Sequence, residues 1–290
     1  MRRIETLEEG QAHGQLKTLY GEIQRDFGSP FVGSIFRALA KQPGLLEAVW
    51  PQLQPDVTTQ AFVDLASRIR QRADTLAGLT FDLDDLYTWL HDHRFTREDI
   101  RRILYVLEVL HYLNPKLLLA TAALTVSVTG IKTSGINRYR ATRITKEEPE
   151  YPNKIPQVMF EQASNGVKED YYDISDVMGI PVIPDDFQAL AEWPSFLRRI
   201  WSMLKPGMRS TTLLNEAQGI SQAALELAQE LPNPVEVSYP DQQRARQLFE
   251  TFLSLYARTM VGISAVRWTM IEGQQNARIT GWAAGERSAE

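Results

Sequence analysis

The sequence predicts an all-α protein: an internally duplicated helical repeat whose two halves pack as a pseudo-dimer. Three observations predict it. Long stretches carry apolar residues at helical spacing, strand signals are sparse, and one segment is written twice. Residues 20–55 align without a gap on residues 171–206. Tyr20 falls on Tyr171, Gly28 on Gly179, Pro30 on Pro181, Phe36 on Phe187, Pro43 on Pro194, Trp50 on Trp201 and Pro55 on Pro206. A period this long is not that of a solenoid. Two fused halves around a two-fold-like axis is the simpler meaning.

The elements follow in chain order. Within the first copy Ile35, Leu39, Leu45 or Leu46, Val49 and Leu53 recur roughly at helical spacing. Pro43 and Pro194 divide each copy into a short helix, a corner and a longer helix, because the residue before a proline is pushed out of the α region. Residues 57–77 read as an amphipathic helix. Thr96 to Asp99 has the form of a capping box and opens a helix running to about Leu113. Asn114 and Pro115 read as an interruption, with a restart over 116–124. Residues 125–130 are the best strand candidate and 235–239 a weaker one. Residues 139–162 are charged and hold Pro149, Pro152 and Pro156, a linker composition that divides the chain into 1–138 and 163–290. Further helices are expected over 212–230 and 241–270, and the last ten residues are expected to fray.

Composition narrows the function. The chain has 290 residues, 43% hydrophobic and 23% charged, enough for a sizeable core. A net charge of −5 argues against a nucleic-acid binder. With no cysteine, disulfides, thiolate zinc sites and thiol catalysis are excluded. The first residues lack the apolar core of a signal peptide. The most apolar run, Lys116 to Gly130, is too short and too rich in Thr and Ser to span a bilayer. A soluble, cytoplasmic protein is expected. Motifs for dinucleotides, P-loop phosphates, zinc proteases and α/β-hydrolases are absent. His91 and His93 read as part of a solvated polar turn, and His111 as a satisfied histidine on an apolar helix.

One position breaks the repeat in an informative way. Asp186 stands where the first copy has Ile35, on the apolar stripe with Leu39. A carboxylate there is costly unless it is paired or used. Desolvation would raise its pKa and make it a better general base. A place in the first turn of a helix explains an aspartate equally well, and Asp185 is read as that cap. Asn114, before a proline, likewise reads as an N-cap on its own.

The segment "FRALAKQPGLLEAVWPQLQP", its echo "QALAEWPSFLRRIWSMLKP" and the stretch "YLNPKLLL" together resemble the group I 2-haloacid dehalogenases. The resemblance runs from about residue 16 to 270. It implies a cofactor-free, metal-free hydrolase of short 2-haloalkanoic acids, with a small-molecule substrate and no nucleic-acid partner. A homodimer is left open. It further implies that Asp186 is the catalytic base and that Asn114 helps it hold the attacking water. Inversion follows when that water attacks directly. Phe31, Ser34, Phe36, Asp185 and Phe187, with Trp193, are the candidates for the substrate wall. Arg37, Lys116 and Arg267 are the cations within reach of the role of carboxylate anchor. Two positions depart from the family. Gly33 and Ser34 stand where a bulky aromatic is usual, and Asp185 stands where serine usually precedes the catalytic aspartate. The competing reading is a non-catalytic homologue that binds or assembles.

Overall fold

Gly28 and Gly179, equivalent in the two copies, adopt left-handed φ angles of 63° and 61°. Each ends a 14-residue helix, α1 (Gly14–Phe27) and α7 (Asn165–Met178), because glycine takes this conformation without a Cβ clash. From these stops the two repeats run in parallel. The first continues as α2 (Ser34–Leu39), α3 (Leu45–Val57) and α4 (Gln60–Thr80), the second as α8 (Asp185–Leu190), α9 (Pro194–Met208) and α10 (Thr211–Ala228). The first repeat then adds α5 (Leu86–Asp92) and α6 (Arg97–Thr129), and the second α11 (Tyr239–Ile279). The computed structural model describes residues 4–129 and 154–279. Among these the protein is all-α, with one short 3₁₀ turn (Glu9–Gln11) and no strand.

Hydrogen bonds repeat with the sequence. Tyr20 donates to Leu7 O and Tyr171 to Val158 O, both at 2.7 Å. Trp50 donates to Glu22 at 3.1 Å, and Trp201 to Asp173 at 2.6 Å. Phe36 meets Trp50 edge-on at 5.8 Å, and Phe187 meets Trp201 edge-on at 5.6 Å. Buried Lys116 on α6 donates to Phe27 O at 3.1 Å, and buried Arg258 on α11 donates to Met178 O at 2.5 Å. Each places a cation on the last carbonyl of the repeat's first helix, where the helix dipole favours one. The helices α6 and α11 are therefore counterparts, and they pack against each other at the centre of the molecule.

The structure corrects several expectations. Pro115 does not end a helix: α6 runs unbroken from Arg97 to Thr129, so Asn114 is an interior residue and not an N-cap. The proline costs the helix about 3 kcal/mol. Burial of Leu117, Leu118, Leu119 and Leu124, worth about 1.5–3 kcal/mol each, offsets it. The same burial turns the strand candidate at 125–129 into the last turn of α6. Residues 235–238 form no strand either. His91 and Asp92 belong to α5, with His93 as its C-cap, rather than to a loop. Val57 closes α3, so the next helix starts at Gln60, capped by Thr59. The Thr96–Asp99 capping box forms as expected. His111 is satisfied by Asp74 at 2.8 Å. Residues 139–153 of the expected linker and the expected C-terminal fray lie outside the described residues. The division into 1–138 and 163–290 stands as our proposal. Part of α6 is long and apolar enough to cross a bilayer, but 72% of that window is buried inside the protein.

Asp56, at the end of α3, has no exposure, and burial raises its pKa to about 6. One oxygen accepts both amide groups of Asn233, and the other has no hydrogen-bond partner. A raised carboxylate pKa means that the folded state holds the proton more tightly. Stability is therefore lost as pH rises from about 4 through about 6. The stability of Asp56→Asn relative to the unaltered protein, read by urea denaturation, should rise by about 3 kcal/mol across that window.

Candidate active site

The two short helices α2 and α8 meet at the junction of the repeats, and their equivalent residues touch. Ser34 N–H donates to Asp185 at 2.8 Å, and Arg37 Nη2 donates to Gln188 at 3.2 Å, each pair 151 residues apart. Gly33, just before α2, permits a close approach to α6, since a Cβ at that position would lie 2.8 Å from the Leu117 side chain.

Asp186, in the first turn of α8, is wholly buried at this junction. Asn114, 1% exposed, reaches it from α6, with Nδ2 donating to Asp186 Oδ1 at 2.6 Å. An ionised carboxylate only accepts hydrogen bonds, so the amide nitrogen faces it and the amide oxygen points elsewhere. Two buried acceptors then remain without a protein partner, Asp186 Oδ2 and Asn114 Oδ1. The Thr259 hydroxyl of α11 lies near the carboxylate but donates to Leu255 O at 3.1 Å. Burial pushes the Asp186 pKa up to about 7. The charge of Asp185 pushes the same way, against the hydrogen bond from Asn114.

The symmetry-related position, between Ile35 of α2 and Tyr256 of α11, has the same geometry with different residues. Tyr256, two residues before Arg258, stands where Asn114 stands two residues before Lys116. Its hydroxyl accepts Ile35 N–H at 3.3 Å and lies 3.4 Å from Ser34 Oγ. Burial raises the Tyr256 pKa well above 10, and the charges of Asp185 and Asp186 add to it, so the hydroxyl stays protonated. Each pair spans both repeats: one carries Asp186 and Asn114, and its symmetry mate carries Ile35 and a neutral Tyr256.

Asp185 does not cap its own helix, whose N-cap is Pro184. Its carboxylate crosses to the first repeat, taking Ser34 N–H and Arg37 Nη2 at 2.6 Å, and also accepts from Gln157 Nε2 of the segment before α7 at 3.3 Å. Arg37 is buried and also holds Glu8 through Nη1. Burial disfavours its charge, but Asp185 and Glu8 more than offset that, and the Arg37 pKa is raised.

The remaining candidates are spread more widely. Phe31 lines a cavity of about 930 Å³ whose wall includes Arg37, Gln157, Val182, Ile183 and Gln188. Phe36 and Phe187 pack against Trp50 and Trp201 in the two repeat cores. Trp193 donates to Asp99 at 3.1 Å beneath the Arg102 guanidinium. Arg267 pairs with Glu108 at 2.8 Å. Among the described residues no group of three His, Asp or Glu side chains is placed to hold a metal ion. Sequence reasoning missed Tyr256 and Thr259. The two-residue spacing from a buried cation, shared by Asn114 and Tyr256, was the signal available.

Residues 30–176 match the family described as halocarboxylic acid dehydrogenase DehI. The chain belongs to that family. An (R)-2-haloacid dehalogenase of Rhizobium sp. (strain NHG3) is 26% identical over 235 residues, 80% of this chain and 89% of the relative. An (R)-2-haloacid dehalogenase of Pseudomonas putida is 27% identical over 249 residues, 83% of this chain and 81% of the relative. A solved structure of a D-2-haloacid dehalogenase in complex with L-LA superposes with a TM-score of 0.77 at 24% identity. It covers 96% of this chain and 99% of the solved one, and the two share an all-α fold.

Proposed function

We propose that the protein is a soluble, cytoplasmic 2-haloacid dehalogenase, a hydrolase of carbon–halide bonds in short 2-haloalkanoic acids. The single observation that carries the mechanism is the pair of unpartnered buried acceptors, Asp186 Oδ2 and Asn114 Oδ1. A water molecule has two O–H donors. Donating one to each acceptor, it turns a lone pair outward and is fixed before the reaction begins. The water oxygen attacks C2 of the acid on the side opposite the halogen. A C–O bond forms, the carbon–halogen bond breaks, and the halide leaves with its electron pair. Asp186 takes the water's proton, and configuration at C2 inverts. The raised pKa suits this role, because a base near 7 is ionised at working pH and still accepts a proton readily. Asn114 orients the water without adding a charge that would repel the substrate's carboxylate. No step uses a cofactor or a metal. The relatives' names supply the substrate class.

The reading is tested by halide release from D- and L-2-chloropropionate across pH. Release is expected from at least one enantiomer. The turnover number should fall below about pH 7, approaching tenfold per unit, as a single group takes up its proton. No release from either enantiomer by folded protein would favour the binding or assembly homologue instead.

A further inference from the structure

The chemistry assigned to Asp186 and Asn114 leaves the neighbouring carboxylate, Asp185, without a role. Yet Asp185 is 1% exposed and held by three donors from outside its own helix: Ser34 N–H, Arg37 Nη2 and Gln157 Nε2. A guanidinium beside amide N–H groups is the donor set that recognises a carboxylate generally. Arg37 also has a second carboxylate on it, that of Glu8, so its charge has a partner without Asp185. Arg37 and Gln157 line the cavity of about 930 Å³, so the network lies against a space large enough for a small acid. The position is also one peptide unit from the base.

We propose that Asp185 is a specificity-determining residue: its side chain fills a carboxylate clamp, made by Arg37, Ser34 N–H and Gln157, that the carboxylate of a 2-haloacid would otherwise occupy. The proposal rests on the 2-haloacid reading and deepens it. A tethered carboxylate competes at an effective concentration in the millimolar range or above, so the dissolved acid binds weakly and KM is high. The symmetry mate of Asp185 is Ser34, too short to reach across in the same way. Serine at 185 would release the clamp while Glu8 keeps Arg37 paired.

The test compares the unaltered protein with Asp185→Ser and Asp185→Asn, their folding checked by circular dichroism. Calorimetry with sodium lactate and with lactamide reads binding, and halide release reads KM for 2-chloropropionate. Asp185→Ser should bind lactate at least about tenfold more tightly and lower KM by a similar factor. Lactamide, which lacks the charge, should bind as before. If Asp185→Ser does not fold, Asp185→Asn decides: a neutral amide is displaced more easily from Arg37, and lactate should still bind several-fold more tightly. Lactate affinity that is unchanged or weaker in the folded variants overturns the proposal. Absence of halide release from the unaltered protein would sink the hydrolase reading, while lactate binding would still decide the clamp.

Discussion

Replacing Asp186 with asparagine is expected to abolish halide release and to make the protein more stable. Loss of a general base costs about 10²–10⁴ in rate, and here the same group also holds the nucleophile, so a loss of about 10³ or more is expected. The gain in stability follows from burial. The folded pKa of about 7 lies above the ordinary 3.8, so the stability is fully present near pH 4 and is lost as pH rises through 7. Three pKa units correspond to about 4 kcal/mol, the upper bound on the gain in Asp186→Asn at pH 8, and the gain should vanish near pH 4. Urea denaturation at the two pH values reads it. Equal stability of the two proteins at pH 8 would mean that the carboxylate is not desolvated at the junction.

Asn114 is the second large effect. Asn114→Ala removes one of the two groups that fix the water, and the turnover number should fall about 100-fold. It also removes the Nδ2–H bond that favours ionised Asp186. The acid limb of the pH–rate profile should therefore move above its position in the unaltered protein. Asn114→Asp should be no better, since two carboxylates in hydrogen-bond contact do not both ionise easily. A pH–rate series on the three proteins checks both points. A fall in rate with an unmoved limb would place Asn114 in packing rather than in the site.

Much of this was legible in the sequence, for particular reasons. The duplication was visible because the aligned segment carries no gap and its glycines, prolines and tryptophans each do a local job twice. Asp186 stood out because its mate Ile35 lies on an apolar stripe, and both side chains are fully buried. The pairing with Asn114 came from family resemblance, since an asparagine before a proline otherwise reads as a cap. Pro115 misled because local propensity stops a helix there, whereas the buried leucines after it carry α6 through. Tyr256 was hidden because α5 has no helical counterpart between α10 and α11, so the ungapped register does not extend that far. Asp185 was read as a local cap because a sequence shows the helix a residue begins and not the one it faces. Its partners Ser34 and Arg37 lie on the opposite repeat, 151 and 148 residues away.

The central claim, that Asp186 activates a water and does not itself attack carbon, is tested most directly by a single turnover in ¹⁸O-labelled water with enzyme in excess over 2-chloropropionate. Direct attack by water predicts lactate carrying ¹⁸O at C2 from that first turnover, with no label in the Asp186 carboxylate. Unlabelled lactate would contradict it, because the oxygen would then have come from the aspartate through an ester.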